Sequence, residues 1–176
     1  LGETITVANG GTGLTSGFAN GITMADQWRL TANTNSGTNA DVTTNWERND
    51  TTGYGKIGTG LTESSGIFSF PTTGVYLIIF SPMLEIASGD SFVNVDMKVT
   101  TDNSNYNSAI EIKLGNRPTS GDDRNAPSNN FIFNVTNITN DKFKFETSSF
   151  GSGTVLLGAS DKNRTSVTAI RLGDSV

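Results

Sequence analysis

The longest apolar run in this chain occupies residues 66–80 and is divided by a turn signal. Proline lacks a backbone donor and fixes φ, and glycine allows positive φ, so Pro71-Thr-Thr-Gly74 predicts a tight turn. The turn separates two predicted strands, residues 67–70 and residues 75–80. We expect the rest of the domain to pack around this pair.

The second of these strands is apolar on both of its faces. Because side chains alternate along a strand, one face carries Val75, Leu77 and Ile79 and the other carries Tyr76, Ile78 and Phe80. A strand with two apolar faces is expected to be covered on both. We therefore predict that one face packs on the core of its own domain and the other on a second subunit.

Short alternating segments separated by turn residues continue through the remainder of the chain. They predict strands at residues 25–31, 42–47, 91–100, 110–114, 131–135, 142–146, 155–157 and 167–172, with residues 82–85 extending the central strand. No segment has a useful helical period, and no repeat of solenoid length is present. The pattern predicts an all-β jelly-roll sandwich of roughly ten antiparallel strands.

Composition narrows the function classes. The 176 residues suffice for one domain with a short appendage. A net charge of -5 argues against nucleic acid and against an anionic membrane surface, and no apolar run is long enough for membrane insertion. Cysteine and histidine are both absent, which excludes disulfides, thiolate metal sites and Ser-His-Asp catalysis.

The first 21 residues are predicted to be a connector with a Gly-rich turn, and residues 22–176 the jelly-roll domain. The glycines of residues 8–13 lack the Lys-Ser/Thr and the helix that a phosphate-binding loop needs. Residues 7–15, Val-Ala-Asn-Gly-Gly-Thr-Gly-Leu-Thr, resemble a segment seen in bacteriophage tail-fibre proteins ahead of a distal domain. Because Leu1 is not a Met, we expect a piece of a longer chain or a processed product.

The central run also carries a family resemblance. Its pattern, Gly66-x-Phe68-x-x-Pro71-x-x-Gly74-x-Tyr76, resembles the signature of C1q/TNF-like trimeric jelly-roll domains. Residues 140–143, Asn-Asp-Lys-Phe, are similar to that family's Gly-Asp-x-Val turn, and the strand spacing fits from about residue 22 to the end. The chain departs from the family in its final strand, which lacks the Phe-x-Gly-Phe often found there.

The resemblance implies a compact homotrimer with a binding role and does not imply enzymatic activity, although a fold by itself never gives the ligand. Within that trimer we predict an interface formed by Phe68, Tyr76, Ile78 and Phe80. Combined with the tail-fibre-like connector, it implies an extracellular virion location with the remainder of the fibre or tail as a partner.

We predict binding to a host cell-surface glycan or lipopolysaccharide through long polar loops at residues 49–58, 101–107 and 115–128, because binding residues concentrate on loops held by rigid scaffolds. The residues chosen for this role are Tyr54, Lys56, Tyr106, Arg117, Asp122, Asp123 and Arg124. Neither a catalytic residue nor a cofactor is predicted.

Three other groups of residues each allow two interpretations. Ser120, Asp122, Asp123 and Asn125 supply oxygen atoms of the kind calcium takes, or form a solvated acidic loop. Asp96 and Glu111, on strands expected to be neighbours, are a carboxylate pair that glycoside hydrolysis would need, or ordinary charged surface. Trp28 and Trp46 are interpreted as packing residues rather than as stacking platforms for sugars.

Three rival functions accordingly accompany the main prediction. The first is a structural capsid or neck fibre, or a decoration protein of the virion. The second is a polysaccharide depolymerase. The third is a secreted C1q-like recognition protein.

Overall fold

The computed structural model describes residues 21–115 and 121–176, and these residues form strands and no helix. The thirteen strands are β1 (Ala25–Leu30), β2 (Trp46–Arg48), β3 (Thr62–Ser64), β4 (Ile67–Ser69), β5 (Gly74–Ser81), β6 (Leu84–Ile86), β7 (Phe92–Thr100), β8 (Asn107–Gly115), β9 (Asp123–Asn125), β10 (Asn129–Val135), β11 (Lys142–Ser148), β12 (Val155–Leu156) and β13 (Ser166–Gly173). The predicted connector, residues 1–21, lies outside the described residues except for Gly21.

The strands form two five-stranded antiparallel sheets packed into a jelly-roll sandwich. The first sheet has the order β10-β5-β13-β1-β2 and the second the order β3-β4-β11-β7-β8, while β12, β6 and β9 make a small third sheet. The predicted all-β jelly roll is therefore confirmed. The sequence pattern missed β3 and β9, which are three residues long and polar, and the strand predicted at residues 42–47 is reduced to β2.

The core is an aromatic cluster held between the two sheets. The ring of Phe80 stacks on that of Phe145 with centroids 4.1 Å apart, and Phe68 stacks on Phe143 at 4.9 Å. Phe70 adds a further contact with the ring of Tyr76 at 4.6 Å. Such pairs add about 0.5–1.5 kcal/mol each to the hydrophobic gain of burying the rings.

Two glycines of the family signature are required by close backbone approaches. A Cβ on Gly66 would lie 2.3 Å from the carbonyl oxygen of Val42, and φ is +81° at that position. A Cβ on Gly74 would lie 2.7 Å from the carbonyl oxygen of Gly173. Both distances are far below van der Waals contact, so the two turns flanking the central strands cannot accept a side chain.

The sandwich has two ends, which the strand directions define. Residues 21–24, where the described chain begins, share one end with the segments at residues 49–61, 101–106 and 136–141, and we call this the entry end. The segments at residues 31–45, 121–128 and 157–165 lie at the opposite end, the far end. This division decides which of the predicted binding residues can act together.

Candidate functional site

A continuous line of apolar side chains crosses the outer face of the first sheet. Strand register places Ile132 opposite Leu77, Leu77 opposite Ile170, Ile170 opposite Ala25, and Ala25 opposite Ile57. Paired residues of antiparallel strands point to the same side of a sheet, so these five form one row, the apolar row. With strands about 4.8 Å apart, the row extends roughly 19 Å across the sheet.

The apolar row is left open to solvent in the single chain. Ile132 is 58% exposed and Ile57 is 46% exposed, and Leu77 and Ile170 between them are only half-buried. Leu172, 54% exposed, follows Ile170 on the same strand and enlarges the apolar surface. A contiguous exposed apolar surface of this kind is more typical of an interaction site than of ordinary protein surface.

The predicted trimer-interface residues point into the core and do not form part of this surface. Phe68, Tyr76, Ile78 and Phe80 are all 0% exposed within one chain and belong to its core. The Phe80 ring stacks on Phe145 of the facing sheet, Phe68 stacks on Phe143 of its own sheet, and the Tyr76 hydroxyl donates to the Thr72 carbonyl at 2.8 Å. Sequence alternation revealed two apolar faces on this strand but assigned the inward and outward faces the wrong way round.

Beyond the apolar row, toward the far end, the same face becomes polar. The Gln27 amide nitrogen donates to the Thr168 hydroxyl at 2.8 Å, and the Gln27 oxygen accepts from Asn49 and Asn163 at 2.7 Å each. One step further lies Arg29, fully buried, whose guanidinium donates to Asn49 Oδ1 at 2.9 Å. Hydrogen bonds join these groups to one another and Arg29 is already covered, while its Nε atom has no hydrogen-bond partner among the described residues.

Arg29 also binds the loop that follows β2. Its Nη2 atom lies 3.3 Å from the Glu47 carboxylate and forms a second ion pair with Asp50. A buried guanidinium is stabilised only when its donors are paired. The loop is therefore held against β1 by charge as well as by backbone hydrogen bonds.

Tyr54 and Lys56, two predicted receptor residues, lie at the entry end and are already engaged. The Tyr54 hydroxyl donates to Asp26 Oδ1 at 2.7 Å, and Lys56 Nζ donates to the Thr59 carbonyl at 2.7 Å. Burial, with the hydrogen bond to Asp26, raises the pKa of Tyr54 to about 12. Asp26 is itself buried and accepts from Leu61 N and Arg48 Nε, so the cluster closes the core at this end.

Tyr106, the third receptor candidate at the entry end, packs on the outer face of the second sheet. The ammonium of Lys144 sits 4.5 Å from its ring centroid and also pairs with Asp41 at 2.7 Å. Burial raises the pKa of Tyr106. In the adjoining turn, hydrogen bonds from the Asn105 side chain and from backbone N–H groups hold the pKa of Asp102 well below its usual value.

The remaining receptor candidates belong to the far end. Asp122 is exposed, Asp123 lies in β9, and Arg124 forms an ion pair with Glu85 at 2.5 Å. Arg117 lies outside the described residues. The predicted receptor residues are thus divided between opposite ends of the sandwich, and one copy of the domain cannot bring Tyr54, Lys56 and Tyr106 together with this group.

The carboxylate pair considered for hydrolysis does lie on neighbouring strands, with Asp96 opposite Glu111 on the outer face of the second sheet. No group of three or more acidic residues placed to hold a metal ion occurs in residues 21–115 and 121–176. Among these same residues there is no helix with the length and apolarity to cross a bilayer.

Both tryptophans pack on the core, as the sequence interpretation expected. Trp28 and Trp46 meet Phe68 edge-on, at centroid distances of 5.7 and 5.2 Å. Their indole N–H groups donate to Asp26 and to the Val42 carbonyl respectively. Neither ring is left as a free platform.

Comparison with solved structures identifies the fold and nothing finer. The chain is similar to the Eiger TNF from S. frugiperda (14% identity, 89% of this chain and 96% of that chain, TM-score 0.67) and to murine APRIL at pH 5.0 (12% identity, 85% and 98%, TM-score 0.62). It is also similar to the PRD1 vertex protein P5 (16% identity, 87% and 99%, TM-score 0.50). No protein-family model and no curated protein sequence matches it. The chain therefore has a C1q/TNF-like jelly-roll fold, as the residue pattern around Phe68 and Tyr76 indicated.

Sequence reasoning missed the members of the apolar row on other strands. Ile132 lies in the strand predicted at residues 131–135, and Ile57 lies in the polar loop predicted at residues 49–58. A signal was present for Ile132, because Phe131, Ile132 and Phe133 together make a strand apolar on both faces, as in β5. No comparable signal distinguishes Ile57.

Proposed function

We propose that this chain is a homotrimeric, non-enzymatic domain of a bacteriophage tail fibre or similar virion appendage, and that it binds the host cell surface. The observation that carries the proposal is the open apolar row on an otherwise complete sandwich. Three copies closing around a threefold axis would cover the row, in an interface of the large apolar kind found in obligate oligomers. The interface we propose is therefore Leu77, Ile132 and Ile170 with their neighbours.

The position of the entry end supports a directional arrangement. Residues 1–21, the proposed connector, precede an end that carries Tyr54 and Tyr106, so the opposite end is the one free to meet a host. In a trimer, three copies of the segment at residues 121–128 would be presented together, and weak single contacts would sum to a stronger attachment. The proposed receptor contact thus moves to Asp122, Arg124 and their surroundings.

Two likenesses support a virion location. Residues 7–15 resemble a segment of tail-fibre proteins, and the fold is similar to that of the PRD1 vertex protein P5. The connector and the fold are independent features of the chain, since one lies ahead of the domain and the other is the domain itself.

The test is adsorption. Fluorescently labelled protein is expected to bind cells of the host and to compete with virions for attachment. Replacing residues 121–128 with a Gly-Ser linker of equal length should reduce cell binding, whereas the same replacement at residues 101–106 should not. Protein that binds no host cell, while remaining folded and trimeric, would contradict the receptor role.

Two further measurements distinguish the proposed receptor role from a structural role and from a polysaccharide depolymerase. Antibody against the domain, imaged on intact virions, should label the tail fibre tips, and label on the capsid or neck would favour a structural role. Release of reducing ends from host envelope polysaccharide would reveal a depolymerase, and we expect none.

A further inference from the structure

We propose that the outer face of the second sheet carries a binding site for a neutral oligosaccharide, formed by Phe92, Asn94, Asp96, Glu111 and Lys113. All five lie on the paired strands β7 and β8. The inference rests on the proposed host-surface function and deepens it, because it names a sheet face beside the far end, and not only the end loops, as the place of contact.

Phe92 is the apolar exception on this face. The other outward positions of β7 are Asn94, Asp96 and Lys98, whereas Phe92 is 41% exposed at the strand's beginning. Its cross-strand partner is Gly115, and a Cβ built there would meet only the Ser91 carbonyl oxygen, at 3.7 Å. The position directly opposite the ring thus carries no side chain, and an exposed flat ring suits the apolar face of a pyranose.

Two acceptor atoms on the same strand as the ring are left without partners. Within residues 21–115 and 121–176, Asn94 Oδ1 and Asp96 Oδ1 are shielded from solvent and accept no hydrogen bond. The other Asp96 oxygen accepts from the Ser108 hydroxyl at 2.7 Å. Shielded polar atoms without partners are uncommon in folded proteins, and sugar hydroxyl groups are donors that would satisfy both.

The spacing of these groups matches an extended ligand. Phe92, Asn94 and Asp96 are alternate residues of one strand, so they project from the same face at intervals of about 6.7 Å, over about 13 Å in total. Glu111 stands opposite Asp96 on β8 and is exposed, which adds a further acceptor at that end of the line. The arrangement therefore offers stacking at one end and hydrogen-bond acceptors at the other.

Lys113 is the movable cover of this site. It stands opposite Asn94, and its ammonium lies 4.3 Å from the centroid of the Phe92 ring. A long, exposed lysine side chain is flexible, so its departure from the ring would uncover the ring and give a ligand access to the neighbouring acceptors. Rotation of this one surface side chain would thus make the face of the ring available to a ligand.

The charges select against acidic sugars. Asp96 and Glu111 lie directly across from each other, and Lys113 supplies one compensating charge. A sialic acid, uronic acid or phosphate group placed beside the two carboxylates would be repelled, since like charges brought together at an interface are costly. The ligand class is therefore neutral hexose or N-acetylhexosamine units.

The experiment is a printed array of bacterial oligosaccharides probed with the labelled full chain, followed by titration calorimetry of the strongest neutral glycan. Phe92→Ala should weaken that binding about tenfold or more, since the stacked ring supplies most of the apolar contact. Asn94→Ala and Asp96→Asn should weaken it severalfold. The matched control is Ile138→Ala, a comparably exposed apolar residue (44%) at the entry end, which should leave binding unchanged.

The outcomes separate this site from the function on which it rests. Wild-type protein that binds host cells, with Phe92→Ala binding equally well, overturns the site and leaves the receptor role standing. A preference of the array for acidic glycans also overturns the site. Wild-type protein that binds neither cells nor any glycan overturns both, whereas selective loss in the three site variants, each retaining wild-type circular dichroism and thermal unfolding, supports the site.

Discussion

The two outer faces of the sandwich are built from strands of the same geometry but differ in how completely their side chains are satisfied. On the second sheet, Lys98 pairs with Glu146 at 2.6 Å and Lys144 pairs with Asp41 at 2.7 Å. On the first sheet, the corresponding surface near the entry end is the apolar row. A charged face is well hydrated in water. Contact between an apolar face and water is unfavourable, so the free energy falls when another surface covers it.

The two faces are therefore suited to different surroundings. The first sheet is polar around Gln27 and Arg29, where neighbouring loops cover it, and it carries the apolar row where Leu77, Ile132 and Ile170 meet solvent. The second sheet is charged in its middle and carries the aromatic side chains of Phe92 and Tyr106 on the same outer face. We interpret the first face as the site of assembly and the second as the surface that stays accessible in the assembly.

The largest expected effect separates the inward from the outward side of β5. Phe80→Ala, which removes a ring stacked in the core, should lower the free energy of unfolding by about 3–5 kcal/mol. Urea denaturation of the dissociated single chain measures this loss of stability. Ile132→Ala is the outward control and should change the stability of the single chain by less than about 0.5 kcal/mol. Equal costs at the two positions would contradict the assignment of faces.

The next effect concerns the polar cluster that closes the core at the entry end. Asp26→Asn keeps the shape of the side chain but removes the charge that accepts from Arg48, Tyr54 and Leu61 N. We expect a loss of about 1–3 kcal/mol in unfolding free energy, the usual cost of impairing a buried charged hydrogen-bond group. Thermal or urea unfolding that matches wild type would show that the cluster is not a structural clamp.

The titration of Tyr54 tests the same polar cluster. The Tyr54 phenol should ionise near pH 12 instead of pH 10, read from absorbance at 295 nm as wild type minus Tyr54→Phe. Because its folded-state pKa is raised, the stabilisation is fully present below pH 10 and is lost as the pH rises from 10 toward 12. In Asp26→Asn the difference titration should shift back toward pH 10, although burial will keep part of the increase.

The smallest effect is expected on the charged face. Lys98→Ala removes the ion pair with Glu146, whose two side chains are both partly exposed, and should cost about 0.2–1 kcal/mol. Raising the salt concentration should reduce even that difference, since exposed charges are screened. A loss of several kcal/mol, or a change in oligomeric mass, would show that this face is not simply solvated surface.

The sequence predicted the fold better than the site because alternation is a local signal. A period of two identifies β7 and β11 from their own residues, and β5 is identified as a continuous apolar run that begins after the turn residues Pro71 and Gly74. Which face of a strand points inward depends on partners far along the chain, such as Phe145 for Phe80. For a strand apolar on both faces the local pattern carries no information on that choice.

The same limit applies to the receptor residues. Loop length and polarity selected Tyr54 and Arg124 together, although the strand directions place them at opposite ends. Tyr54 is polar in type but occupied by Asp26, a partner 28 positions away that only the folded structure reveals. Conversely, Phe92 was overlooked since it continues the outward series of Asn94 and Asp96, which reads as ordinary charged surface.

The proposed trimer requires that other copies of the chain cover the apolar row. The mass of the particle in solution tests this arrangement. Light scattering at micromolar concentration should give three times the chain mass of 18.6 kDa for wild type. Leu77→Glu, which places a charge in the middle of the row, should reduce it to the mass of one folded chain, whereas Ile138→Glu, outside the row, should leave the trimer intact. A wild-type mass of one chain, or a trimer that tolerates Leu77→Glu, would contradict the assignment of this face as the interface between copies.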